Sequence, residues 1–147
     1  MDEQIAANQL REMIRLLERK LGVLEDGEMA CCGLSMAQCH ALVEIGRARN
    51  ISLVELARLL NLDNSTLSRT VNNLVNNGMV ERQHDRNDRR YITIQLTPEG
   101  LTHFNGIESS MGEYFMKIYS AIPAENRAQV LESLQIFIKA VEDSGCC

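Results

Sequence analysis

Ser65, Thr66, Ser68, Arg69, Asn72, Asn73 and Asn76 crowd into one short stretch of chain, and their types suit one kind of chemistry. At helical spacing they fall largely outside the inward stripe made by Leu67, Val71, Leu74 and Val75. Asn offers a donor and an acceptor side by side, as the edge of adenine requires. Arg can fork onto guanine, and Ser or Thr can bond bases or phosphates. A solvated helix face would favour Glu and Lys, which are strong helix formers, and residues 64–77 contain neither. A face that gives up helix propensity for these groups points to reading a DNA duplex; the plainer alternative is an exposed polar face.

A second group follows in Asp85-Arg86-Asn87-Asp88-Arg89-Arg90, where three arginines sit between two strand-like runs. At a hairpin tip Arg86, Arg89 and Arg90 could reach phosphates or enter a narrow minor groove, with nearby acids fixing their side chains. A merely solvated tip is the alternative. A third group is Cys31, Cys32, Cys39 and His40, with Cys146 and Cys147 at the end of the chain. Clustered thiols in a reducing compartment suggest metal or redox chemistry. Against this, Cys39 also fits as a small core residue on the inner phase of its helix, His40 and His103 as packed or surface histidines, and Cys146-Cys147 as a frayed tail.

These groups need elements to hold them. Leu10, Met13, Ile14, Leu17, Leu21 and Leu24 predict a long amphipathic helix over 3–24, and Gly22 to Gly33 reads as a loop. Ser35 with Gln38, and Ser52 with Glu55, are capping boxes for helices over about 35–48 and from 52 to near Leu60. Asp63 caps a helix to Asn77 that stops at Gly78. Val80 to Gln83, and Ile92, Ile94 and Leu96 in alternation, read as the two strands of a hairpin. Thr97-Pro98-Glu99 opens a helix with Leu101, Phe104, Ile107, Met111, Phe115 and Ile118 on one side. Pro123 breaks it, and a last helix carries Val130, Leu134, Ile138 and Val141. Two helices joined by a turn of about three residues, then a hairpin, describe a winged helix-turn-helix. The fold class is therefore mainly α with a small β-hairpin wing. The wide stripes of the first and last two helices have no partner sheet, which implies a homodimer.

Composition sets the frame. Net charge is −5, yet Arg47 to Arg90 holds eight Lys/Arg against five Asp/Glu, or +3, and the remainder seven against fifteen, or −8. A basic middle on an acidic scaffold fits a nucleic-acid module. Hydrophobic residues make up 45%, enough for a core, and no apolar run approaches the roughly 18 residues of a membrane span. Met1-Asp2-Glu3-Gln4 is unlike a signal peptide, so a cytoplasmic location and reduced cysteines are expected, with no membrane partner. An enzyme has no support: there is no glycine-rich phosphate loop or spaced acid pair, and Cys39 and His40, adjacent on a helix, diverge. A dimeric adaptor that does not bind DNA would lack Arg69 and the wing arginines, which are present.

The chain resembles the MarR family over nearly its whole length, most specifically in the run Ser52 to Thr97, and its long first helix and last two helices match by length and order. The marks are Leu56-Ala57, Ser68-Arg69-Thr70-Val71, Leu74, Gly78, the Asp88-Arg89-Arg90 tip and the Leu96-Thr97-Pro98-Glu99-Gly100 exit. The resemblance implies a single MarR-like domain over 1–147, with a winged helix-turn-helix lobe at about 35–97 and dimerisation helices at about 3–24 and 98–143. It implies a dimer on a pseudo-palindromic double-stranded operator, with helix 64–77 in the major groove. Arg90 would then be the minor-groove arginine and Asp88 its buttress. Repression is the family's commoner outcome, lifted by an effector near the junction of the two lobes. Cys39 and His40 stand where zinc-responsive relatives hold ligands, but the His-rich start of the fifth helix is reduced to His103. Cys31, Cys32 and Cys39, with His40, would better suit a thiophilic metal or a metalloid such as trivalent arsenic. A phenolic or other small organic ligand is the alternative effector. No cofactor is required.

Overall fold

The computed structural model describes residues 2–28 and 34–145, with side chains at 2–22 and 34–145. The elements are α1 (Glu3–Glu28), α2 (Met36–Ala48), β1 (Ile51–Ser52), α3 (Leu53–Leu60), α4 (Asn64–Asn76), β2 (Val80–His84), β3 (Ile92–Leu96), α5 (Pro98–Ala121), a 3-10 turn (Ala124–Asn126) and α6 (Arg127–Asp143). The chain divides into two compact units, Met1–Ile107 and Glu108–Cys147, the division falling inside α5.

Helix starts follow from their caps. Ser35 Oγ accepts from the Gln38 backbone N–H at 3.2 Å while Gln38 Oε1 accepts from Ser35 N–H at 3.0 Å, which completes the box on α2. Ser52 Oγ accepts from Glu55 N–H at 3.1 Å and starts α3. Two expectations change. α1 runs on to Glu28, where a loop was expected from Gly22. A Cβ at Gly22 would meet nothing within 4 Å, and an interior glycine costs a helix only about 1 kcal/mol against alanine. The wing has a third strand: β1 pairs antiparallel with β3, Ile51 opposite Ile94 and Ser52 opposite Thr93, giving the order β1-β3-β2. Two residues are too few to show strand alternation in a sequence.

In the first unit, α2, α3 and α4 pack around one core with the sheet along its edge. Leu42, Ile45, Leu56, Leu67, Val71, Leu74 and Ile94 are fully buried, each contributing about 1.5–3 kcal/mol of transfer free energy. The exit from α4 is tied to the entry of α5. Thr97 Oγ1 donates to the Gly78 carbonyl at 2.6 Å and accepts from Gly100 N–H at 3.0 Å, and Thr97 N–H donates to the Met79 carbonyl at 3.0 Å. Gly100 is forced at this point: a Cβ there would stand 1.9 Å from the Met79 carbonyl oxygen. In the second unit α5 turns into α6 at Pro123. Arg127 fastens the turn, donating to the Ser120 and Ile122 carbonyls and lying 5.1 Å from the centre of the Tyr119 ring. No helix among the described residues is long and apolar enough to cross a membrane.

Candidate nucleic-acid interface

The turn between α3 and α4 is built by two residues of fitting type. Asn61 closes α3 in the left-handed region at φ 53°, which Asn tolerates better than most residues. Asp63 opens α4, its Oδ1 accepting from Thr66 N–H at 2.6 Å and from Ser65 Oγ at 3.0 Å. The Thr66 hydroxyl and backbone N–H, then the Ser65 hydroxyl and the nearby Arg69 charge, hold the Asp63 carboxyl below its usual range. Asp63 is therefore ionised at neutral pH, and a carboxylate at a helix N-terminus is favourable.

Leu67, Val71 and Leu74 are buried on the inner face of α4 as expected, joined by Thr70, whose hydroxyl donates back to the Thr66 carbonyl at 3.1 Å. Val75 is only half-buried. Ser65, Arg69, Asn72, Asn73 and Asn76 are exposed, and Ser68 and Thr66 are half-buried at the margin. One hydroxyl expected for DNA, that of Ser65, is thus already engaged with the Asp63 cap, and it retains acceptor capacity. Asn72 has a partner that the sequence did not suggest: Arg82 Nη2, on β2, donates to Asn72 Oδ1.

The wing is held by its two aspartates. Asp85 N–H donates to the Tyr91 carbonyl at 2.9 Å and Tyr91 N–H to the Asp88 carbonyl at 3.0 Å, closing the tip. Asp85 Oδ1 accepts from Asn87 N–H at 2.9 Å, so this acid shapes backbone where a hold on an arginine was expected. Asp88 does grip an arginine. Its Oδ1 accepts from Arg90 N–H and Nε at 3.1 Å, and its Oδ2 from Arg90 Nη2 at 3.0 Å. These bonds, the side-chain ones first, hold the Asp88 carboxyl below its usual range. The Arg90 side chain nevertheless stays 89% exposed, aimed but not covered. Arg86 and Arg89 are exposed as well, and the Arg89 carbonyl lies 3.0 Å from His84 Nδ1. Arginines on a short, backbone-stiffened hairpin can meet phosphate oxygens or enter a groove at small entropic cost.

Of the cysteines, only Cys39 lies among the described residues. Cys39 lies fully buried in the core of the first unit, whereas His40, next to it on α2, faces solvent. Cys31, Cys32, Cys146 and Cys147 lie outside the described residues. Among the described residues no group of three or more Cys, His, Asp or Glu side chains is placed to hold a metal ion.

Comparison with known proteins meets this geometry. The MarR family's sequence pattern matches residues 34–92, the span from the start of the core to the second wing strand. The HTH-type transcriptional regulator BilQ of Clostridium symbiosum is 28% identical over 114 residues, which are 78% of this chain and 79% of that one. Among solved structures, FabT of Streptococcus pneumoniae in complex with DNA superposes with a TM-score of 0.79 at 22% identity, covering 97% of this chain and 99% of that one. A mutant MarR from E. coli, complexed with operator DNA, superposes at 0.71 with 26% identity, covering 93% and 96%. These relatives are transcription regulators, not enzymes. Over residues 34–92, which hold the capped α3–α4 pair and the wing, the chain is therefore similar to the MarR family, and its fold is that of the winged-helix regulators it superposes on.

Proposed function

We propose that the protein is a homodimeric repressor that binds a pseudo-palindromic operator, with α4 in the major groove and the wing at the minor groove, and that an effector releases it. The observation that carries this reading is the outward face of α4. Ser68, Arg69, Asn72 and Asn73 stand on a well-capped helix with no carboxylate between Asn64 and Asn77, and such a face attracts phosphates and can bond base edges. The Asp88–Arg90 clamp supports the wing's part. Two relatives of the same fold were solved with DNA bound.

The dimer is supported by what the long helices leave uncovered. Ile5, Leu10, Met13, Leu16 and Leu17 of α1 are exposed, as are Leu131, Leu134, Ile136, Ile138 and Val141 of α6. A helix of 17 residues with no buried side chain is marginal in water alone, and a second copy offers matching apolar surface.

For the effector, a phenolic or other small organic ligand competes with a thiophilic ion at Cys31, Cys32 and Cys39. Burial of Cys39 sets a condition on the second: the ion must part α2 from the core, and α2 leads through Ile51 directly into α3 and α4. That disturbance would couple ligand to DNA affinity, provided the ion binds the DNA-incompetent arrangement more tightly.

Gel-shift titration against duplex DNA from upstream of its own gene tests the main reading. A sequence-selective, salt-sensitive shift is expected, and its absence sinks the proposal. Adding arsenite, zinc, cadmium or an aromatic acid to the reduced complex separates the effector classes. Release by the aromatic acid alone, or an unchanged response in a Cys31, Cys32 and Cys39→Ser triple variant, removes the thiol site.

A further inference from the structure

Arg82 is exposed on β2, beside the outward face of α4, and its guanidinium donates to the side-chain oxygen of Asn72. Among the described residues no carboxylate forms an ion pair with Arg82, so the amide oxygen is the partner that orients it. Chemistry then fixes the amide. A guanidinium has donors only, so the bond requires Oδ1 of Asn72 to face the strand, which leaves its NH2 turned away. A donor that carries charge also polarises the amide and strengthens its N–H groups as donors.

We propose that Arg82 is a positioning residue that sets base preference through Asn72. An unconstrained asparagine reads adenine by presenting an acceptor and a donor side by side. With its oxygen engaged by Arg82, Asn72 leads with two donors. It then reads a base acceptor in the major groove, guanine N7 and O6 or thymine O4. It disfavours cytosine, whose exposed group is a donor. The inference rests on α4 being the reading helix, and its test is arranged so that the two can fail separately.

Selection of binding sites from a random duplex pool, with the full-length protein, gives the preference at every position. The wild type should favour guanine or thymine at one position of each half-site and take cytosine least. Asn72→Ala should flatten that position alone, and Ser68→Ala should alter a different one. Arg82→Ala should leave the site length unchanged but shift the Asn72 position toward adenine by about tenfold, within the range of one bidentate base contact. Arg82→Lys retains a donor and should restore part of the wild-type preference. A thermal melt of each variant checks folding, and Arg82→Lys still decides the matter if Arg82→Ala melts early. Weaker binding to all sequences, with a salt slope reduced by about one, would make Arg82 a phosphate contact and overturn the inference. So would an unchanged preference in Arg82→Ala. If neither Asn72→Ala nor Ser68→Ala moves any position, the reading of α4 itself fails first.

Discussion

The two ends of α5 belong to different kinds of structure. Of the fifteen buried apolar residues among those described, fourteen lie between Leu34 and Ile94, and the last is Ile107 near the middle of the helix. The second unit, Glu108–Cys147, has none among its described residues, although α6 carries as regular an apolar stripe as α2 does. The first region finishes its core within one chain, and its exposed polar side chains are available for a ligand. The second presents apolar side chains with no cover of their own. A helix stripe therefore states what must be buried, and only the tertiary arrangement states whether this chain buries it.

The contrast can be broken in several ways, the most severe first. Leu42→Ala or Leu74→Ala removes a fully buried side chain from the finished region and should cost about 2–5 kcal/mol in denaturant unfolding. A cost no larger than that of a surface substitution would mean that the core is not where stability resides. In the unfinished region, Leu134→Glu with Ile138→Glu should turn a dimer into a monomer in sedimentation. DNA affinity should fall about a hundredfold or more as the second half-site contact ceases to be intramolecular. Persistence of the dimer would remove α6 from the interface. Arg90→Ala acts on neither core nor interface. It should leave the melting temperature nearly unchanged while weakening operator binding and lowering the salt slope by about one; an unchanged slope would exclude a phosphate contact.

The smallest effect concerns acid. Asp63 and Asp88 both have carboxyls held below 3.8, so the stabilisation each gives is complete above that value. It is lost only as the pH falls through the lowered folded value. Carboxyl NMR titrations should therefore show midpoints below 3.8 for both residues, with cap and wing intact at every pH above it. A midpoint at or above that value for Asp88 would show that its grip on Arg90 is absent in solution.

Much of the first region was legible in sequence because its signals are local. Ser35, Ser52 and Asp63 announce helix starts through bonds three residues away, and each cap forms. The Leu67, Val71 and Leu74 stripe needs only the helical period. The Asp88–Arg90 pair, two residues apart, was legible through the family resemblance. What escaped depends on distant chain. β1 exists because β3 lies beside it, and two residues carry no pattern of their own. Arg82 meets Asn72 because the turn at Gly78 and Met79 folds the strand back along the helix. Seven residues at about 1.5 Å and three at about 3.3 Å both cover about 10 Å, which brings the two side chains level. That matching of rise is a signal available beforehand, but only once the turn is known to reverse the chain. Of the sulfur group and its neighbour, Cys39 and His40 lie among the described residues, and helical phase sends one inward and the other out, as their adjacency on a helix implied.

The tie at Gly100 has a mechanical consequence. With no Cβ to separate them, the first turn of α5 rests directly on the Met79 carbonyl, and Thr97 bonds both Gly78 and Met79. The end of α4 and the start of α5 therefore move as one piece, and the part of α5 in the first unit becomes a short lever on α4. At about 1.5 Å per residue the ten residues of α5 in the first unit, Pro98 to Ile107, extend about 15 Å, so a tilt of about 5° at the tie corresponds to about 1.3 Å at Ile107. Gearing runs in that direction: a displacement of about an ångström imposed at Ile107 arrives at α4 as a small rotation.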